Sequence, residues 1–194
     1  QKIPLKELEP ILAKFENKNL NLAKLRAIAK NITQYYRMKG FVTSRAYVPP
    51  QKIQDGIVVL RIVEGRLGKA TVTGNRYFSS DWLKGYLTIE PGDVIQYDTL
   101  QQDLVHMNRN PDRQVKAVLA PGEAPETSDI VLNVEDQYPA HFAHIFDNHG
   151  TRLSGRLRNS VQFRHSNLLG RDDGLYNTLS ISEGGDFVGE AMNY

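Results

Sequence analysis

A chain of 194 residues with 24 Lys+Arg against 22 Asp+Glu carries a net charge of only +2, so nothing global points to nucleic acid and any basic function has to be local. The absence of cysteine excludes disulfide scaffolds, thiolate metal centres and cysteine nucleophiles together. No run of about 18 apolar residues occurs, which excludes a membrane-spanning helix but not a membrane β-barrel, whose strands alternate too weakly for hydropathy to register. The opening QKIPLKELEP lacks the charged, apolar and small-residue succession of a signal peptide, as expected of a processed chain or of a piece cut from a longer one.

Residues 5–40 predict two helices. Leu5, Leu8, Leu12 and Phe15 recur at spacings of three and four, with Pro10 either bending that run or marking its first turn. After the polar break FENKNLN comes a second run, Leu25, Ile28, Ile32 and Tyr35, with Gly40 placed for a left-handed C-terminal cap. The period then changes to two in FVTSRAYV and IVVLRIVEG, separated by PPQKIQDG with turn chemistry at Asp55-Gly56. Next, LGKATVTGN predicts a strand and SSDWLKGYL a serine-capped helix. DTLQQDLVHM predicts a further helix with Asp98 as N-cap and Gln101 completing a capping box, stopped at Asn110-Pro111. QVKAVLA and SDIVLNVED give two more strands across the turn-rich PGEAPETS. The second unit therefore reads β-α-α-β-β, and the first reads as the same unit without its opening strand, an internal repeat of roughly 65–70 residues.

From residue 138 the pattern changes. AHFAHIFDN, GRLRNSVQFRH and GLYNTLSISE are strand-like runs of the length a tilted strand needs to cross a bilayer, joined by turn-rich segments. Within RLRNSVQFRH one row is mostly apolar (Leu157, Asn159, Val161, Phe163) and the other is basic and polar (Arg156, Arg158, Ser160, Gln162, Arg164). His141, His144, Asp147 and His149 invite a metal, but positions 141 and 144 of a strand point to opposite faces, so no metal site is expected. Asp172-Asp173, Glu123 and Glu126 lie in turns without a partner of suitable spacing for acid–base catalysis, so no enzyme is expected. Asn31-Ile32-Thr33 matches a glycosylation acceptor by chance inside a helix.

The string ITQYYRMKGFVTSRAYVPPQKIQDGIVVLRIVEG, then TVTGN, PGD, LVHMNRNPDRQVKAVLAPG, TSDIVLNVED and DNHGT resembles, in this order over nearly the whole chain, the two-partner secretion transporters. These are outer-membrane proteins of Gram-negative bacteria, the TpsB family of the Omp85 superfamily. The resemblance implies an α+β chain: tandem POTRA modules of β-α-α-β-β plan, the first lacking its first strand, then the first antiparallel strands of an outer-membrane β-barrel. The expected divisions are an incomplete POTRA 1 at 1–66, POTRA 2 at 67–137 and partial barrel at 138–194. It further implies periplasmic recognition and outer-membrane export of a large partner exoprotein, presented unfolded through its N-terminal secretion domain. The other partner would be outer-membrane lipid, with no cofactor and no nucleic acid.

In such proteins the secretion signal is expected to add as a strand beside a POTRA sheet. If the first strand of the second module pairs with the last, the middle one, Gln114–Ala120, is an exposed edge. The expected groove comprises Val115, Lys116, Ala117, Val118 and Leu119 with Leu100 and Leu104 on the facing helix, and Val118→Pro would test it. As a barrel wall, Leu157, Val161 and Phe163 would face lipid while Arg156, Arg158 and Arg164 line the lumen. One alternative is a barrel-assembly factor of the same superfamily. Another, of a different class, is a soluble β-rich protein binding polyanions through the arginine row, five arginines without an acid between 148 and 171.

Overall fold

The computed structural model describes residues 2–16, 18, 20–53, 56–152, 155–185 and 187–194. They form two compact units, one of Gln1–Thr71, Leu87–Val105 and Ala117–Leu132, the other of Val72–Tyr86, His106–Lys116 and Asn133–Tyr194. The class is α+β, and among the described residues no helix is long and apolar enough to cross a membrane.

The first unit opens with α1 (Leu5–Leu12) and α2 (Leu22–Met38). Pro10 is accommodated within α1, and the side chain of Asn21 caps α2 by accepting from the Lys24 N–H at 2.9 Å. The buried stripe of α2 is Leu25, Ile28, Ala29, Ile32 and Tyr36, a spacing of three, one, three and four that covers one helical face. Tyr35, expected on that stripe, is half-buried against this core and also sends its hydroxyl to Glu7 at 2.8 Å, while Tyr36 is the fully buried tyrosine. Gly40 ends the helix at φ +86°.

Two long strands were expected next, but β1 (Arg45–Tyr47) and β2 (Arg61–Val63) hold only three residues each. Their register aligns Tyr47 with Arg61, so Pro49 falls opposite Val59, where a strand would need an N–H that proline lacks. The carboxamide of Gln51 fills the gap, donating to the Val59 carbonyl and accepting from its N–H, both at 2.8 Å. The turn at Asp55-Gly56 lies partly outside the described residues, and Gly56 has φ +72°.

Strand β3 (Arg66–Thr73) precedes α3 (Ser80–Lys84), capped by Ser79, and α4 (Tyr97–Met107). Asp98 is not the N-cap. The Gln96 carbonyl already accepts from the Leu100 N–H, so the helix starts earlier and Asp98 sits inside its first turn. Strands β4 (Arg113–Pro121) and β5 (Thr127–Asp136) complete a three-stranded sheet of order β3-β5-β4. The middle strand carries the fully buried Ile130 and Leu132, as a strand with neighbours on both sides should.

A four-stranded antiparallel meander follows: β6 (Ala140–Asp147), β7 (Arg158–His165), β8 (Leu175–Ser182) and β9 (Val188–Asn193). Three of its strands were expected. The fourth, in VGEAMN, escapes a search for apolar alternation because Gly189 and Glu190 interrupt it.

Candidate functional site

Strand β4 stands at an edge of its sheet. Along a strand, the N–H and C=O of one residue point to one side and those of the next residue to the other. Gln137 N donates to the Asp112 carbonyl at 2.9 Å ahead of β4, and Gly122 N donates to the Thr127 carbonyl at 3.1 Å beyond it. Gln137 follows β5 and Thr127 opens it, so even-numbered residues of β4 turn their backbone groups to β5 and odd-numbered ones turn theirs outward. The other edge of the sheet, at β3, is covered at its start: Leu67 N donates to the Asp93 carbonyl and Gly92 N to the Leu67 carbonyl, both at 2.8 Å.

The seven residues expected to line the groove divide by accessibility. Lys116 and Val118 are exposed, Ala117, Leu119 and Leu104 are half-buried, and Val115 and Leu100 are buried. Val115 is withdrawn in a second way, because the side chain of Asn108 bonds both of its backbone groups: Oδ1 accepts from its N–H at 2.6 Å and Nδ2 donates to its carbonyl at 2.9 Å.

In the meander, cross-strand pairing fixes which side chains share a face. Phe142 pairs with Phe163, Val161 with Leu179, and Ile181 with Val188, giving a face on which Phe142 is 76% and Val188 63% exposed and which also carries His144, Asn159, Asn177 and Glu190. The other face carries the pairs Asp147 with Arg158, Ser160 with Ser180, and Arg164 with Tyr176. Val161 and Phe163 are therefore on one face, Arg158 and Arg164 on the other. Arg156 and Leu157 lie before β7, whose first residue is Arg158; the Leu157 carbonyl there accepts from the Glu183 N–H at 2.8 Å. Arg158 is bound by Asp147 at 3.0 Å and Arg164 Nη2 comes to 3.5 Å from Asp112, so these two arginines are partnered within the chain.

The densest polar arrangement, unexpected from the sequence, gathers in the second unit around Asp112 and Arg113. The Arg113 side chain is wholly buried. Its Nε donates to the Met107 carbonyl at 2.7 Å, and both terminal nitrogens bond the two carboxylate oxygens of Asp172. The guanidinium also lies over the rings of Phe78 (4.8 Å) and Tyr86 (5.5 Å). Phe78 is held in turn by Asp136, whose carboxylate accepts the backbone N–H groups of Arg76, Tyr77 and Phe78.

Asp172 belongs to the β7–β8 turn and adopts φ +61°, a conformation that a residue with a side chain holds only when its surroundings enforce it. It receives the Tyr86 hydroxyl at 2.5 Å and Asn110 Nδ2 at 2.9 Å, and its own N–H donates to Asn167. Burial and the nearby carboxylate push the Tyr86 hydroxyl above its ordinary pKa, so it remains a donor at neutral pH.

Asp112 is the second centre. Its wholly buried carboxylate accepts from His141 Nε2 at 2.6 Å, Gln137 Nε2 at 2.8 Å and the Ser166 hydroxyl. The carboxylate sits between the serine and the histidine, so the imidazole is not placed to take the serine proton and the trio is a fastening. Among the described residues there is no group of three or more His, Asp or Glu that could hold a metal ion. Together Asp112 and Arg113 tie the corner ahead of β4 to the start of β6 and to the turn after β7.

Residues 1–65 match the family model of the POTRA domain, ShlB-type, and residues 126–187 match that of the haemolysin secretion/activation protein ShlB/FhaC/HecB. The outer membrane transporter CdiB of Dickeya dadantii is 27% identical over 163 residues, 84% of this chain and 29% of that protein. CdiB-2 of Burkholderia pseudomallei is 30% identical over 146 residues, 75% of this chain and 25% of that protein. Among solved structures, CdiB from Escherichia coli shares the fold with a TM-score of 0.79 at 24% identity, covering 94% of this chain and 34% of that one. The chain thus spans only about a quarter to a third of the length of these relatives.

Proposed function

Because this chain belongs to the ShlB/FhaC/HecB family of two-partner secretion transporters in the Omp85 superfamily, we propose that it captures an unfolded exoprotein in the periplasm and passes it into an outer-membrane pore. Residues 1–66 and 67–137 act as the two POTRA modules, and 138–194 supply the first strands of the barrel. The apolar face of the meander meets lipid and the face of Arg158 and Arg164 meets the aqueous lumen. No bond-making step, cofactor or metal takes part.

The observation that carries the capture step is the outward backbone of β4, an edge strand whose odd residues have no neighbouring strand among the described residues, while the opposite edge at β3 is covered at its start by residues 92–95. An extended peptide satisfies such an edge by adding as one more strand. The accusatory substitution is therefore at an odd position. Ala117→Pro removes an outward N–H and leaves the β5 ladder intact, whereas Val118→Pro would break the sheet itself. Ala117→Pro should weaken binding of the exoprotein's secretion domain roughly tenfold or more with little change in stability, about one hydrogen bond and a steric block. Unchanged affinity in a binding titration of the folded variant would remove strand addition at β4.

The lipid assignment has its own test. Val161→Arg should destabilise the protein in lipid by roughly 2–4 kcal/mol if it lies near mid-bilayer, and Gln162→Arg on the opposite face by much less. Equal losses in equilibrium unfolding from vesicles would refute the division of faces.

A further inference from the structure

The backbone of β4 also sets where an added strand can pair. Of its outward residues, Val115 has both groups taken by the single carboxamide of Asn108, which supplies the two bonds that a paired residue of a neighbouring strand would supply. At the other end Pro121 turns outward and has no N–H to give. Between these two stand Ala117 and Leu119, the outward positions with a complete donor and acceptor still to offer.

We infer that Asn108 fixes the register of the added strand, an inference that rests on the strand-addition reading above: the incoming peptide pairs with Ala117 and Leu119 and is stopped at Val115. Residues directly opposite each other in a sheet share a face. The peptide residues opposite Ala117 and Leu119 therefore lie on the half-buried face of the strand, and the residue between them lies beside the exposed Val118. The fitting ligand is a short extended segment with two apolar side chains two residues apart. Its footprint is small, four backbone hydrogen bonds plus the Pro121 carbonyl, so one segment is held loosely enough to be passed on.

The test is single-residue amide hydrogen exchange on the full chain in lipid, with and without a saturating synthetic heptapeptide of alternating valine and threonine. Without peptide, the Val115 amide should be protected and those of Ala117 and Leu119 should exchange fast; with peptide, the latter two should slow by roughly tenfold or more. In Asn108→Ala, the Val115 amide should exchange roughly tenfold faster without peptide and regain protection with it, because the stop is gone. Asn108→Leu, which keeps the side-chain shape and removes both bonds, carries the same expectation where the alanine variant fails to fold. Peptide protection at Ala117 and Leu119 with a Val115 amide that ignores both substitutions would overturn the register inference and leave strand addition standing. No gain in protection on adding the peptide anywhere along Arg113–Pro121 would overturn strand addition itself.

Discussion

Arg113→Ala should cost about 3–5 kcal/mol, the range for removing one partner of a buried ion pair. The guanidinium is wholly buried and has no water to replace its partners: the Met107 carbonyl, both oxygens of Asp172, and the rings of Phe78 and Tyr86. Without it, Asp172 keeps only neutral side-chain donors, the Tyr86 hydroxyl and Asn110 Nδ2, while its side chain remains 12% exposed. The turn then loses the contact that holds a non-glycine residue at φ +61°. Lysine should not rescue the loss, since one ammonium cannot span both carboxylate oxygens and stack on two rings. Asp172→Asn tolerates the left-handed backbone, so the double variant Arg113→Ala/Asp172→Asn should be less destabilised than the two single losses added together. Chemical unfolding midpoints of the four proteins measure this, and strict additivity would show that the pair contributes nothing as a pair. Under the proposed function, the variant should also separate two steps. Ala117 and Leu119 take no part in this network, so the folded fraction should still bind the secretion domain, while export falls.

Elements held by local periodicity were legible from the chain itself. Leu25, Ile28 and Ile32 announce the buried face of α2, and the serine before Ser80 announces the start of α3. The edge position of β4 followed from the β-α-α-β-β order, because a hairpin whose last strand pairs with the first leaves its middle strand outside. What failed depended on backbone groups or on distance. The shortness of β1 and β2 follows from Pro49 falling opposite Val59, a matter of register that alternation alone does not contain. The Arg113–Asp172 pair joins residues 59 apart, and Asp172-Asp173 read only as a turn. One signal was nevertheless present. Arg113 shares its row with Val115, Ala117 and Leu119, and a charge on a row facing the core requires a partner somewhere in the fold. The sequence thus declared that Arg113 had a partner without declaring which.

Asp112→Ala should cost about 1–3 kcal/mol at neutral pH, because it leaves the buried Ser166 hydroxyl without its acceptor and removes the partner of the more exposed Gln137 Nε2 and His141 Nε2. This loss carries a pH signature. Burial alone would raise the Asp112 pKa, but the hydrogen bonds from Ser166, Gln137 and His141, together with attraction to the imidazole, outweigh it and hold the carboxyl below its ordinary value. A carboxyl depressed in the folded state stabilises fully above its unfolded pKa of about 3.9, and that contribution fades as pH falls through the folded value. The stability gap between the native protein and Asp112→Ala should therefore be wide at pH 7 and shrink as the pH is taken well below about 4. Urea unfolding of both proteins at the two pH values measures it. A gap that stays constant would assign the loss to packing and would deny the carboxylate its part. The corner must keep its charge to keep its shape, so acid should loosen the tie to β6 and to the β7–β8 turn before it disturbs the apolar stripe of α2, which contains no titrating group among Leu25, Ile28, Ala29 and Ile32.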